Sequence, residues 1–255
     1  MSTLEKFSEI IDSFEPISLI EMDSSRLMNR TDHKFLFSPD KLAAILKNLP
    51  KNYRILSIEN HRVFTYKSYY FDTSDFEFYK VHHNGKTNRH KVRFRNYVET
   101  GATFLEVKFK NNKGRTIKNR VSVEAWEDKL SEDSKEFIHR ISGIRDDLEL
   151  KMENKFQRFT LVNKDHPERV TFDFNIHYRC GSEVVKYDHI AIAEVKQEQF
   201  NRQSTIMNAL KEQRCYPDSI SKYCLGIFSC YPTIKQNRFK PHLLKISKMQ
   251  SQRVA

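Results

Sequence analysis

Arg89-His90-Lys91-Val92-Arg93-Phe94-Arg95 is the stretch on which the fold reading turns. Successive side chains of a strand point to opposite faces, so Arg89, Lys91, Arg93 and Arg95 share one face, opposite Val92 and Phe94. Glu106-Val107-Lys108-Phe109-Lys110 and Lys118-Asn119-Arg120 repeat the theme. Neighbouring cationic strands repel unless an anion lies between them. The pattern predicts a β-lined site for a highly charged anion, most simply a chain of phosphates. A solvated edge strand kept soluble by charge explains any one segment alone. It explains less well the further cations on strand-like segments, Arg169, Arg179 and Lys196.

Outward from that core, residues 3–14 place Leu4, Phe7, Ile10, Ile11 and Phe14 at helical spacing. Residues 26–37 turn extended, with Arg30, Asp32 and Lys34 on one face. Ser38-Pro39-Asp40 is a helix start that leads through Leu42, Ile45, Leu46 and Leu49. Residues 54–72 read as one or two strands and 74–84 as a short helix. Strands follow at 89–99, 103–110 and 116–124, then helices at 131–142 and 144–152. Strands return at 155–162, 168–178 and 183–196, with Val170, Phe172, Phe174 and Ile176 on one face of the second. Helices are expected at 201–213 and 219–231, and a weakly helical basic tail after Pro232.

About eight alternating strands with inserted helices fit an α+β fold. The form expected is an antiparallel eight-stranded β-barrel with a polar interior and helices packed outside. An open sheet with one wet face fits the periodicity equally well. The expected division is an amphipathic helix over 1–25, a tunnel domain over 26–231 and a basic tail over 232–255.

Composition narrows the partners. Lys and Arg number 44 against 33 acids, a net charge of +11, which favours an anionic partner. Six glycines and seven prolines argue against long linkers. Cys180, Cys215, Cys224 and Cys230 form no C-x-x-C pair and read as reduced thiols. The N-terminus has no apolar leader, and nothing approaches the roughly 18 apolar residues of a membrane span. The expectation is a cytoplasmic protein, with docking at the inner face of a membrane through a membrane-protein partner left open.

No G-x-x-x-x-G-K-[ST] loop, nucleophile elbow or kinase signature set exists, and the ten histidines show no metal spacing. Glu106 and Glu194 each precede a lysine by two on a cationic face. A carboxylate there is repelled by phosphate unless a divalent cation lies between them. Glu194 is the preferred metal ligand; an internal ion pair with a neighbouring Lys or Arg is the equal alternative.

In order along the chain, these segments resemble the vacuolar transporter chaperone (VTC) domain, the catalytic domain of polyphosphate polymerases. That family has the triphosphate tunnel metalloenzyme fold. The resemblance runs from Arg30-Thr31-Asp32-His33-Lys34-Phe35 through Tyr70-Phe71-Asp72-Thr73, Lys91-Val92-Arg93-Phe94-Arg95, Leu105-Glu106-Val107-Lys108 and Lys118-Asn119-Arg120. It continues through Arg169-Val170-Thr171-Phe172-Asp173 and Glu194-Val195-Lys196 to Ser221-Lys222-Tyr223-Cys224-Leu225-Gly226. It implies that Lys34, Arg93, Arg95, Lys108, Lys118, Arg120, Arg169 and Lys222 hold phosphates. Arg30, Arg158, Arg179, Lys196 and Ser221 join them, and Lys34, Arg93, Arg95, Lys108 and Glu194 form the catalytic set. Glu194 matches the family's metal-binding glutamate, with Mn²⁺ or Mg²⁺ as cofactor. ATP and inorganic polyphosphate are the implied partners, and nucleic acid is not expected.

Three departures accompany the match, the first being that residues 126–160 match only loosely, around Arg158. Some relatives carry Lys where this chain has Ser219, and the first strand lacks the Glu-x-Glu-x-Lys motif of the hydrolytic branch. The resemblance implies transfer of the ATP γ-phosphate to a growing polyphosphate chain. A metal-dependent tunnel triphosphatase is the alternative. A non-catalytic sensor of polyphosphate or nucleotides, or a nucleic-acid binder using the net charge, is the third reading. The sequence leaves the oligomeric state undecided.

Overall fold

The computed structural model describes residues 7–24 and 31–254. Its helices are α1 (Ser8–Asp12), α2 (Leu19–Ser24), α3 (Leu42–Leu46), α4 (Glu77–His83), α5 (Glu132–Ser142), α6 (Thr205–Glu212), α7 (Lys222–Cys230) and α8 (Lys240–Val254). Its strands are β1 (Glu15–Ile17), β2 (Thr31–Phe37), β3 (Tyr53–Leu56), β4 (Phe64–Asp72), β5 (Arg89–Tyr97) and β6 (Thr103–Lys110), followed by β7 (Thr116–Val123), β8 (Glu149–Asn163), β9 (Glu168–Cys180), β10 (Glu183–Tyr187), β11 (Ala191–Gln197) and β12 (Pro217–Asp218).

All twelve strands join one sheet, with the path β12-β2-β11-β9-β8-β4-β5-β6-β7. Every pair is antiparallel except β1 with β3. The expected closed eight-stranded barrel is therefore corrected to a larger sheet that does not close. Its two ends are poor pairing surfaces. β12 is two residues long and begins with Pro217, which has no N–H to donate. β7 is mostly exposed and carries Lys118 and Arg120, charges that discourage edge pairing. Lys34 of β2 and Lys118 of β7 nonetheless line the same cavity, so the sheet curls until its far ends face each other.

Alternation explains the core. Val92, Phe94, Leu105 and Val107 lie on the outer face of β5 and β6, covered by Ile138 of α5 and Phe78 of α4. Phe35, Phe37, Phe172 and Val195 lie on the outer face elsewhere, covered by α1, α3 and α6. Full burial of side chains this size contributes about 1.5–3 kcal/mol each. α7 breaks the expectation that all helices pack outside. It lies on the inner face of β8 and β9, where a Cβ added to Gly226 would come within 2.2 Å of Met152 Sδ and 2.5 Å of Tyr178 Cδ1. Only the missing side chain lets the helix come so near.

Several local readings change. Residues 149–152, expected in a helix, begin β8, because pairing with Phe71 and Asp72 of β4 extends that strand backwards. The segment 183–196 divides into β10 and β11. Within the described residues the first helix is only Ser8–Asp12. α5 starts and ends as read, with Ser131 Oγ accepting the Ser134 N–H at 3.3 Å and Gly143 leaving at φ 72°. Cys180 and Cys230, read as reduced thiols, form a disulfide, while Cys215 and Cys224 are free and buried. Among the described residues no helix is long and apolar enough to cross a membrane.

Candidate active site

The curled sheet lines a cavity of about 1270 Å³ that is open to solvent. Its wall takes in Lys34 from β2, Lys91, Arg93 and Arg95 from β5, Lys108 from β6, Lys118 from β7 and Arg158 from β8. Glu194 and Lys196 of β11 face it, as do Ser221 at the start of α7 and Lys222 within it. Ten of the residues read from sequence thus converge: Lys34, Arg93, Arg95, Lys108, Lys118, Arg158, Glu194, Lys196, Ser221 and Lys222.

Burying cations is costly unless they are paired and hydrogen-bonded. Arg93 is 6% exposed and Glu106 0%. Arg93 Nε and Nη2 donate to Glu106 Oε2 at 2.8 and 2.6 Å, and Nη1 donates to the Tyr70 hydroxyl at 2.8 Å. Lys118 Nζ takes the other oxygen of Glu106. The same arrangement recurs three times. Asp173 accepts Arg158 Nε at 2.5 Å and Nη2 at 2.8 Å, and also holds Lys222. Glu194 lies between Lys34 Nζ at 2.8 Å and Lys196 Nζ at 2.9 Å. Asp218 lies between His242 Nε2 at 2.6 Å and Lys245 Nζ at 2.8 Å.

These partners decide the ionisation of the acids. Burial opposes charge on Asp173, yet Arg158 and Lys222 push its carboxyl down to about 2. Burial likewise opposes charge on Glu106 and Glu194. Arg93, Arg95 and Lys118 hold the first well below the carboxylate range, and Lys196 and Lys34 hold the second there.

Lys91, Arg95 and Lys108 have no carboxylate in contact among the described residues, and neither do Arg89, Lys110, Lys113 and Arg115 toward the rim of the same cavity. Lys91 Nζ donates to Ser221 Oγ at 3.0 Å. Arg95 donates Nε and Nη2 to Ser68 Oγ at 3.2 and 3.0 Å and lies 5.3 Å from the Tyr66 ring centroid. Lys108 is held well below the ordinary lysine range, first by the neighbouring Arg93 and then by burial. Burial lowers Lys91 as well. Groups whose charge is disfavoured this way gain most when an anion arrives. Lys91 was not among the site residues chosen from sequence, although its place between Arg89 and Arg93 on one strand face was the available signal. The pairing role of Asp173 was equally open to reading, since it alternates with Thr171.

Three expected residues lie elsewhere. Arg179 was counted on the face of Asp173, but Asn175 adopts φ 50° and the β8–β9 register shifts there. One inserted residue swaps the faces beyond it. Ile176 and Tyr178 turn inward, and Arg179 points out with a side chain 62% exposed. Arg169 donates Nη2 to the Met22 carbonyl at 3.1 Å and does not line the cavity. Arg120 shares the register of Glu106, yet on the edge strand its guanidinium lies over Phe104, 4.5 Å from the ring centroid. Arg30 lies outside the described residues.

Glu194 is a single carboxylate with a lysine on each oxygen, and no group of three or more His, Cys, Asp or Glu among the described residues could hold a metal ion. This donor set fits a divalent cation that arrives on phosphate oxygens and shares one protein carboxylate. It does not fit a metal held by protein ligands alone.

Comparison with known proteins gives a family and a fold. The family model described as the VTC domain matches residues 29–231. No curated protein matches the chain. A solved structure of HpAC1 from Hippeastrum, a candidate adenylyl cyclase described as having a dominant triphosphatase activity, is 15% identical. The alignment covers 79% of this chain and 96% of that one, with a TM-score of 0.50. A candidate adenylate cyclase from Vibrio parahaemolyticus is 11% identical over 78% of this chain and 99% of that one, with a TM-score of 0.43.

Proposed function

The chain belongs to the VTC domain family, and from that membership and the cavity we propose that it is an ATP-dependent polyphosphate polymerase. The bond from the γ-phosphorus of ATP to its bridging oxygen breaks, and ADP leaves. A terminal oxygen of the polyphosphate chain attacks the same phosphorus, so the chain gains one unit. This chemistry asks mainly for in-line positioning and neutralised charge.

The observation that carries the reading is that several buried or half-buried cations without carboxylate partners, Lys91, Arg95 and Lys108 among them, face one cavity. Arg93 and Arg95 offer planar guanidinium groups, and Lys34, Lys108 and Lys222 offer mobile point charges. Glu194 would hold Mn²⁺ or Mg²⁺, and the metal would neutralise charge on phosphoryl oxygens. Lys34 and Lys196, which neutralise Glu194 at 2.8 and 2.9 Å, would then be free to turn to phosphate.

Hydrolysis of a triphosphate is the second reading, because a cationic cavity accommodates a short phosphate chain as readily as a growing one. The sequence leading into and along β2 argues against it: Arg30-Thr31-Asp32-His33-Lys34 has no Glu-x-Glu-x-Lys. Incubation with ATP and Mn²⁺, with phosphate chains resolved on a gel and orthophosphate measured in parallel, separates the two. The polymerase gives ADP and long chains. Orthophosphate without chains selects hydrolysis, and no turnover removes both.

A further inference from the structure

Asp72 differs from the acids just described. It is fully buried, yet its partners are neutral. Its carboxylate accepts the backbone N–H groups of Thr73 at 2.8 Å, Phe78 at 2.9 Å and Tyr79 at 3.0 Å, together with the Tyr223 hydroxyl. Those bonds join two helices. Phe78 and Tyr79 belong to the first turn of α4, whose N-cap residue Phe76 adopts φ 64° and supplies no side-chain cap. Asp72 takes over that role from the end of β4. Tyr223 belongs to the first turn of α7.

Tyr223 itself lines the cavity, next to Ser221 and Lys222. Lys222 reaches Asp173, and Ser221 Oγ accepts Lys91 Nζ at 3.0 Å. One turn on, Gly226 is pressed against Met152 and Tyr178, so α7 cannot move closer to the sheet. The far end of α7 is tied by the Cys180–Cys230 disulfide and by Ser229 Oγ, 2.7 Å from the Tyr187 hydroxyl, so the Tyr223 bond bears on the orientation of the first turn, which carries Lys222.

We infer that Asp72 is a positioning residue: through the Tyr223 hydroxyl it sets the orientation of the first turn of α7 that aims Lys222 and Ser221 at the anion. The assignment rests on the proposed function for the anion being a phosphate chain. A cap for α4 alone would satisfy Asp72 without Tyr223, and the fourth bond is what points beyond a local role.

The test uses Tyr223→Phe, which keeps the ring and the α4 cap and removes one hydrogen bond. Binding of inorganic tripolyphosphate is measured by calorimetry for the wild type, Tyr223→Phe, Lys222→Ala and the double variant, with the thermal midpoint of each recorded. Loss of one relayed hydrogen bond is expected to weaken binding about fivefold. The double variant is expected to bind no more weakly than Lys222→Ala, because the tyrosine acts through the lysine. Unchanged binding in Tyr223→Phe overturns the inference. So do losses that multiply in the double variant, since a merely structural loss is independent of Lys222. Asp72→Asn is expected to lower the thermal midpoint more than Tyr223→Phe, because it also disturbs the α4 cap. Failure of the wild type to bind tripolyphosphate overturns the phosphate reading itself, and this assignment with it. Binding without turnover leaves the test intact.

Discussion

The two walls of the cavity carry charge differently. β5, β6 and β7 present Lys91, Arg93, Arg95, Lys108 and Lys118 against one acid, Glu106. The opposite wall presents Lys34, Arg158, Lys196 and Lys222 together with the acids Asp32, Glu194 and Asp218, and Asp173 is paired with Arg158 and Lys222. The lysines register the contrast. Lys108 is pushed well below its ordinary range, first by Arg93, whereas Glu194 raises Lys34 against the opposing effect of burial. The first wall is under electrostatic stress that only an incoming anion relieves. On the second wall each of those cations already touches a carboxylate, although burial still lowers Lys222, so that wall orients charge with less demand for an anion.

The sharpest way to break this comparison is to empty the first wall. Arg95→Ala with Lys108→Ala removes two charge-assisted contacts worth about 1.5–3 kcal/mol each, so tripolyphosphate affinity should fall by roughly two to four orders of magnitude. Neither residue has a carboxylate partner, so the fold should survive, and circular dichroism checks that it does. Retained affinity would mean that the anion does not lie on this wall.

Arg93 separates binding from stability. Arg93→Ala leaves Glu106 buried with Lys118 as its remaining partner, which should cost about 3–5 kcal/mol in a denaturant titration. Adding Glu106→Gln should recover much of the stability but not the phosphate affinity. Equal loss in both variants would contradict the pairing.

On the second wall, Glu194→Gln should flatten the Mn²⁺ dependence of turnover, while Lys196→Ala, which leaves Lys34 on Glu194, should cost about tenfold or less. A metal titration unchanged by Glu194→Gln removes that residue as ligand.

The smallest effect expected is in pH. Burial, with Arg93 and Arg95 nearby, brings the Lys118 ammonium down to about 8, although Glu106 opposes this. A bound anion raises that value again, so binding takes up a proton above pH 8 and affinity should decline from there upward. Lys118→Arg should remove this part of the decline; an identical profile would exclude Lys118 as its source.

How much of this was legible follows the same division. On β5 the cations alternate without interruption, so period alone places Arg93 and Arg95 inside and Val92 and Phe94 outside. On β9 the same counting fails after Asn175, because one left-handed residue reverses every later side chain, and the only trace of it is Asn175 itself, a residue type that tolerates positive φ. Sheet closure was equally hidden. It depends on whether β7 and β12 meet, a long-range matter that alternation does not address. The inward seat of α7 had one trace in the sequence, Gly226 amid large apolar residues, and its meaning emerged only against Met152 and Tyr178. Glu194 was read with two outcomes open, metal ligand or ion-pair partner; the lysines on both its oxygens give the second directly and make the first depend on phosphate.

The Cys180–Cys230 bridge has a consequence for how this asymmetry is maintained. It spans a sequence separation of 50 residues, and that interval contains Glu194, Lys196, Ser221 and Lys222. The part of that side built from β11 and α7 is thus stitched into a covalent ring, while Lys34, Arg158 and all of β5, β6 and β7 lie outside it. A loop of this length restrains the unfolded chain by about 4 kcal/mol in the chain-entropy model. Treatment with a dithiol should lower the denaturation midpoint and relax α7 first, so the redox state of the surroundings sets how firmly the helix that carries Lys222 stays in place.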